Sequence, residues 1–192
     1  QNCINVVSSF CESWHLTVNH KKSKILIFKK KSSKSTREIK FFLKNQNLEI
    51  VEEFTYLGVK ISSTGNFKSH RALSKQKALH ALFKVIKTLE FNKLKPKQAN
   101  MLFDTLISPI LTYGSEVWGV YLKQNFSSWD KELTEKVHLR FCKYYLGVNS
   151  KASNFACRAE LGRFPLKVAI DKFVLRYYNH LVILPDSALA KQ

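Results

Sequence analysis

The spacing of apolar side chains divides the chain into a first third that alternates and a remainder that repeats at helical period. Ile4, Val7, Phe10, Cys11 and Trp14 recur at intervals of three and four, which predicts an amphipathic helix from Asn2 to Trp14. Leu16 and Val18 alternate with polar neighbours, and Lys24 to Phe28 is a short β-branched apolar run, so both are expected as strands. Ile39 to Leu43 and Leu48 to Val51 flank Asn45-Gln46-Asn47 and are expected to pair as a hairpin. Phe54 to Ile61 alternates around Gly58, which fits a strand with a bulge or a close backbone approach. Between these runs, Lys29 to Arg37 is basic, Ser-rich and without period, and reads as a loop or a disordered insertion.

From Phe67 the period changes. Ala72, Ala78, Leu79, Leu82, Phe83, Ile86 and Leu89 mark one face of a long helix, with Lys75, Lys77, Lys84 and Lys87 largely elsewhere. Pro96 breaks it, and a second helix is expected from Lys97 to about Thr112, kinked or ended by Pro109. Further helices are expected over Trp129 to Leu146, closed by Gly147, and over Asn154 to Leu161 and Pro165 to Leu184. The fold class is therefore α+β, an antiparallel β region followed by helices, with the switch near residue 66. Trp14, Trp118 and Trp129 are read as packing residues, and His80 and His138 as helix-surface residues.

Charge alters this picture more than any other feature of the composition. Lys plus Arg number 32 against 14 Asp plus Glu, a net +18. Residues 1–96 carry 19 basic and 6 acidic side chains, and residues 97–192 carry 13 and 8. A field of that sign attracts polyanions, because each neutralised phosphate releases condensed counterions. Nucleic acid is the first partner implied and an anionic membrane surface the second, against a plainly solubilising role for lysine. Cys3, Cys11, Cys142 and Cys157 form no Cys-x-x-Cys pair and none of the six histidines stands at metal-ligand spacing from them, so a reduced, intracellular chain in nucleus or cytoplasm is expected. The apolar stretch from Met101 to Leu122 is broken by Asp104, Pro109 and Glu116 and does not read as a membrane span. The first Met is Met101, which fits a piece of a longer protein.

Four segments carry a family likeness. Trp14, Leu16, Asn19, Lys22, Ser23 and Lys24, followed by the apolar run to Phe28, match the pattern Trp/Gly-x-Leu-x-x-Asn-x-x-Lys-Thr/Ser-Lys. Phe54-Thr55-Tyr56-Leu57-Gly58-Val59-Lys60-Ile61 is the second, Ile110 to Trp118 with Tyr113-Gly114-Ser115-Glu116 the third, and Ala159 to Leu166 with Glu160, Gly162 and Pro165 the fourth. In this order they resemble the reverse transcriptases of LINE-type (non-LTR) retrotransposons, downstream of the catalytic Asp-Asp turn. The resemblance implies that residues 1–66 are the C-terminal part of the palm, 67–128 a thumb-like helical region and 129–192 a helical C-terminal extension. It implies partners too: an RNA template and an RNA–DNA duplex, without a membrane.

Site residues follow from the same likeness. Lys22 matches the lysine that approaches the leaving pyrophosphate, where a cation or proton donor offsets developing charge. Lys21 and Lys24 would present ammonium groups beside it; the alternative is a solvated basic turn. Tyr56, Leu57 and Gly58 match the primer grip, which sits on a hairpin against the primer end, where glycine allows close backbone approach and Leu57 presses on a sugar or base; an ordinary core strand with a bulge is the alternative. Lys75, Lys77, Lys84 and Lys87 would track duplex phosphates, unless they form a solvated helical face. Glu116 lies in the third segment without a chemical role.

Polymerisation needs two divalent metals held by clustered carboxylates. No Asp precedes Asp104, and the one adjacent acidic pair, Glu52-Glu53, should point to opposite faces of a strand. No metal ligands are therefore assigned, Mg²⁺ is expected only in an intact enzyme, and the chain alone is expected to be inactive. A non-catalytic nucleic-acid-binding remnant, co-opted or inert, is the alternative. A palm lacking its central strands would also leave an unpaired sheet edge.

Overall fold

The computed structural model describes residues 1–29, 39–122 and 126–188. The chain divides at the start of its longest helix into two units, Gln1–Ser69 and the residues from His70 on. Of the Lys29 to Arg37 segment, all but Lys29 lies outside the described residues.

In the first unit, α1 (Asn2–Ser13) forms where its stripe places it. Of that stripe only Cys11 is buried, and Trp14, read as a packing residue, is 67% exposed with its ring 6.0 Å from that of Phe10. His15 adopts φ 53° and closes α1 in a Schellman motif: Leu16 N–H donates to Cys11 O at 2.7 Å and His15 N–H to Glu12 O at 3.1 Å. That left-handed exit turns the backbone away, so the strand expected at Leu16 and Val18 does not form.

β1 (Lys24–Leu26) is shorter than its apolar run. β2 (Phe41–Leu43) and β3 (Gln46–Val51) pair antiparallel. Their turn is Lys44-Asn45, at φ 47° and 62°, one residue earlier than Asn45-Gln46-Asn47. β1 lies parallel to β3 on its other side, with Lys24 opposite Glu49 and Ile25 opposite Ile50. The β region is thus mixed and not purely antiparallel: the tight turn claims one edge of β3, leaving the other for a strand that arrives by a longer connection. The side-chain amide of Gln1 serves the backbone of Phe42 in β2, donating to its O at 2.7 Å and accepting from its N–H at 3.1 Å. β4 (Glu53–Tyr56) and β5 (Val59–Ser62) form a separate two-stranded hairpin, where the alternation alone suggested one bulged strand and the resemblance a hairpin.

The second unit is helical. α2 (Lys68–Thr88) starts at the division and buries His70, Ser74, Ala78 and Leu82. Ala72, Phe83 and Leu89 are exposed, so the buried stripe is narrower than the apolar pattern and shifted from it. α3 (Pro96–Leu102) runs through a π turn at Phe103–Ile107 into α4 (Ser108–Thr112). Pro109 has no N–H to give the preceding turn, and the widened π turn absorbs that missing bond where a kink or an end was expected. Gly114, at φ 69°, starts α5 (Ser115–Trp118).

Trp129 sits in a short 3₁₀ segment, so α6 covers only Leu133–Tyr145 of the expected helix. Gly147 at φ 65° ends it, with Val148 N–H donating to Lys143 O at 3.1 Å. α7 (Asn154–Glu160) and α8 (Leu166–Ile183) complete the unit. Trp118, Trp129, Phe103, Phe141, Leu111 and Ile170 are all less than 2% exposed and form its core.

A buried carboxylate organises this core. Glu135 accepts from Trp129 Nε1 at 2.7 Å and Leu166 N–H at 2.8 Å on one oxygen, and from His138 Nδ1 at 3.0 Å and Arg158 at 3.1 Å on the other. Burial works to raise the Glu135 carboxyl, but these bonds, that from His138 foremost, hold it below its ordinary value. His138 is fully buried, not a surface residue. No described helix is long and apolar enough to cross a membrane.

Candidate nucleic-acid interface

Lys21 and Lys22 stand exposed on a turn that Asn19 builds. The Asn19 backbone carbonyl accepts from Lys22 N–H and Ser23 N–H, both at 3.1 Å, and its side-chain oxygen accepts from Lys22 N–H at 3.2 Å. Ser23 Oγ adds a bond to the same carbonyl at 2.9 Å. Asn, Lys and Ser at these intervals are therefore one device: the amide and hydroxyl fix the turn, and the lysines project from it. Lys24 differs from its neighbours, because it is half-buried on β1 and ion-paired with Glu49 across the strand pair. It stands on a strand and not on the turn, and Glu49 partly offsets its charge.

Tyr56, Leu57 and Gly58 come together at the tip of the β4–β5 hairpin. Leu57 and Gly58 form the two-residue loop, at φ 46° and 82°. Positive φ at both positions is the type I′ turn, whose twist matches paired strands and which ordinarily takes Asn-Gly. A leucine held left-handed costs about 1–2 kcal/mol. Tyr56 is 61% exposed and Leu57 74%. The turn thus carries a strained apolar residue and sets it beside an aromatic ring in the open.

On α2 the four lysines do not make one row. Lys77, Lys84 and Lys87 are exposed and share one side of the helix with His80, at intervals of three and four. Lys75 is half-buried and points elsewhere, since residues two apart on a helix do not face each other. None of the four lysines pairs with a carboxylate among the described residues. The charge pattern pointed to the lysines; helical geometry removes Lys75 from the row and adds His80.

No family profile, no curated protein and no solved structure matches this chain.

The remaining two motif segments hold structure. Trp118 Nε1 donates to Tyr113 O at 2.8 Å across the turn that Gly114 makes. Arg163 donates from Nε to His138 Nε2 at 2.7 Å and from Nη2 to Asp104 at 2.5 Å, while Leu166 N–H caps onto Glu135. Asp104 gave no signal in the sequence because Arg163 comes from a distant segment, and Glu135 gave none because Arg158 and Leu166 do.

Several of the described carboxylates are already ion-paired. Asp130 pairs with Arg158 at 2.7 Å, Asp171 with Lys167 at 2.9 Å and Glu53 with Lys60 at 2.6 Å. Among the described residues, no group of three or more His, Cys, Asp or Glu is placed to hold a metal ion.

Proposed function

We propose that this chain is the C-terminal part of a LINE-type reverse transcriptase, gripping the primer–template duplex and the nucleotide phosphates. In this reading residues 1–66 belong to the palm, 67–128 to the thumb and 129–192 to an extension. The observation that carries it is the order of the four motif segments along the chain. Local structure supports it where the segments carry chemistry. The Lys21-Lys22 turn is held by its own Asn19 and Ser23, and the hairpin tip exposes Tyr56 and Leu57, the latter at a positive φ that costs backbone energy. The Lys77, Lys84 and Lys87 row offers cations without carboxylate partners among the described residues. Mg²⁺ belongs to an intact enzyme in this reading, and the chain alone is not a polymerase.

A second reading, a non-catalytic nucleic-acid-binding remnant, is favoured by one observation: Asp104, Asp130 and Asp171 each bond to a basic side chain. Both readings predict binding to an RNA–DNA duplex that weakens as salt rises, with a log–log slope of about −3 or steeper. Salt-independent binding overturns both. Primer extension with Mg²⁺ by the homogeneous chain overturns the second, and also the inactivity assigned under the first.

A further inference from the structure

A groove of about 550 Å³ opens on the second unit beside α6, and none of the candidate site residues above is in its lining. Its lining includes Lys136, Arg140 and Lys143, which recur at intervals of four and three on one side of α6, with Leu139 as an apolar floor. Tyr144 and Val148, both exposed, and Asn154 complete the wall. We propose that this groove binds a short stretch of single-stranded nucleic acid, the three cations holding successive phosphates and the Tyr144 ring stacking on a base.

Charge, position and ring all favour that occupant. The one carboxylate in the groove, Asp130, is taken by Arg158 at 2.7 Å and Asn154 at 3.0 Å, and leaves the three cations to a ligand. Two of them are held in place from inside: Lys143 donates to Ser150 O at 2.6 Å, and the Arg140 guanidinium lies 4.7 Å from the centre of the Phe83 ring on α2. Cations fixed before binding lose less side-chain freedom when a phosphate arrives. From Lys136 to Lys143 the helix rises about 10 Å, so the cations can face more than one phosphate of an extended strand. An exposed aromatic flanked by cations is the combination that binds unpaired strands, because every base offers a π face. An acidic peptide would use the lysines and arginine and leave the ring idle. The inference stands apart from the reverse-transcriptase reading, since it uses none of the motif residues.

The test is anisotropy of labelled single-stranded RNA and of an RNA–DNA duplex on the full chain across a salt series. The double variant Lys136→Gln/Arg140→Gln should weaken single-strand binding about tenfold at 0.1 M salt and flatten the log–log slope by about 1.4. Duplex affinity should stay within about twofold, because the α2 row carries it. Tyr144→Ala should lose about tenfold on the single strand with the slope unchanged. On the unaltered chain, a photoreactive oligonucleotide should crosslink within residues 136–154, a result independent of any variant's folding. Crosslinks confined elsewhere overturn the proposal. So does an equal loss on both substrates, competition by poly-glutamate as strong as by the oligonucleotide, or binding to phosphatidylserine vesicles with none to the oligonucleotide.

Discussion

Arg163 donates its Nε proton to Nε2 of His138 at 2.7 Å, an arrangement open only to a neutral imidazole. The other ring nitrogen must then carry the proton that reaches Glu135 at 3.0 Å. Burial lowers the His138 pKa from its ordinary 6.5, and the nearby Arg163 and Arg158 charges add to that, against the pull of Glu135. The unfolded chain therefore binds a proton near pH 6.5 that the folded chain refuses. Stability is complete above that pH and declines as pH falls below it. His70, also lowered by burial first, adds a contribution of the same sign. The urea midpoint should drop between pH 7 and pH 5, and His138→Gln should flatten that dependence while costing about 2–4 kcal/mol. A midpoint that rises on acidification contradicts the assignment.

Thiol chemistry should separate the cysteines sharply. Cys3 is exposed, whereas Cys11, Cys142 and Cys157 are buried, and burial pushes the Cys142 thiol up to about 12. Iodoacetamide at pH 8 should label one site at Cys3 within minutes and the others only on unfolding. Fast labelling of Cys142 in the native protein would rule out the packing around it.

At the hairpin tip, stability and binding should move in opposite directions. Leu57→Asn gives the left-handed position a residue that tolerates it, and should stabilise the first unit by about 1 kcal/mol. The same change removes the exposed leucine and should weaken duplex binding several-fold. If both improve together, Leu57 is not a grip residue.

Replacing Lys77, Lys84 and Lys87 by Gln should reduce the duplex salt slope by about 2.7, close to one unit per phosphate contact. Lys75→Gln, off the row, should change it by much less. Equal effects from all four would mean that net charge alone governs binding.

Gly119 should not accept a side chain. A Cβ there would stand 2.7 Å from Val174 Cγ2 and 2.8 Å from Ile170 Cγ2, on β-branched residues of α8 that have little rotamer freedom. Gly119→Ala is expected to cost about 1–3 kcal/mol in chemical denaturation. A neutral effect would mean that α8 can shift away from α5.

Much of the helical half was legible because its signals are local. Pro96 and Pro165 open helices, and Gly147 closes one, within a residue or two of where the pattern puts those three ends, although α6 starts four residues later than expected. The strands were harder. A left-handed His15 erased one, and a leucine in a position that ordinarily takes asparagine hid the Leu57-Gly58 turn inside what looked like a single strand. Side-chain roles were least legible where partners come from far along the chain. His138 is buried where Glu135, Arg163 and the Phe103 ring close over it, and two of those three come from distant segments. Among the candidate site residues, the ion pair of Lys24 was illegible for the same reason: Glu49 lies across a parallel strand pair that no local signal announces.

The uneven distribution of buried side chains sets the order in which the protein comes apart. Among the described residues, the first unit hides Cys11, Leu43, Leu48 and Phe67, while the second hides two tryptophans and a run of phenylalanines and branched aliphatics. Amides in β1 to β5 should exchange with solvent through brief local openings, and those of α6 only when the whole helical body melts. A protease admitted sparingly would trim the strands away first and leave a resistant helical remnant.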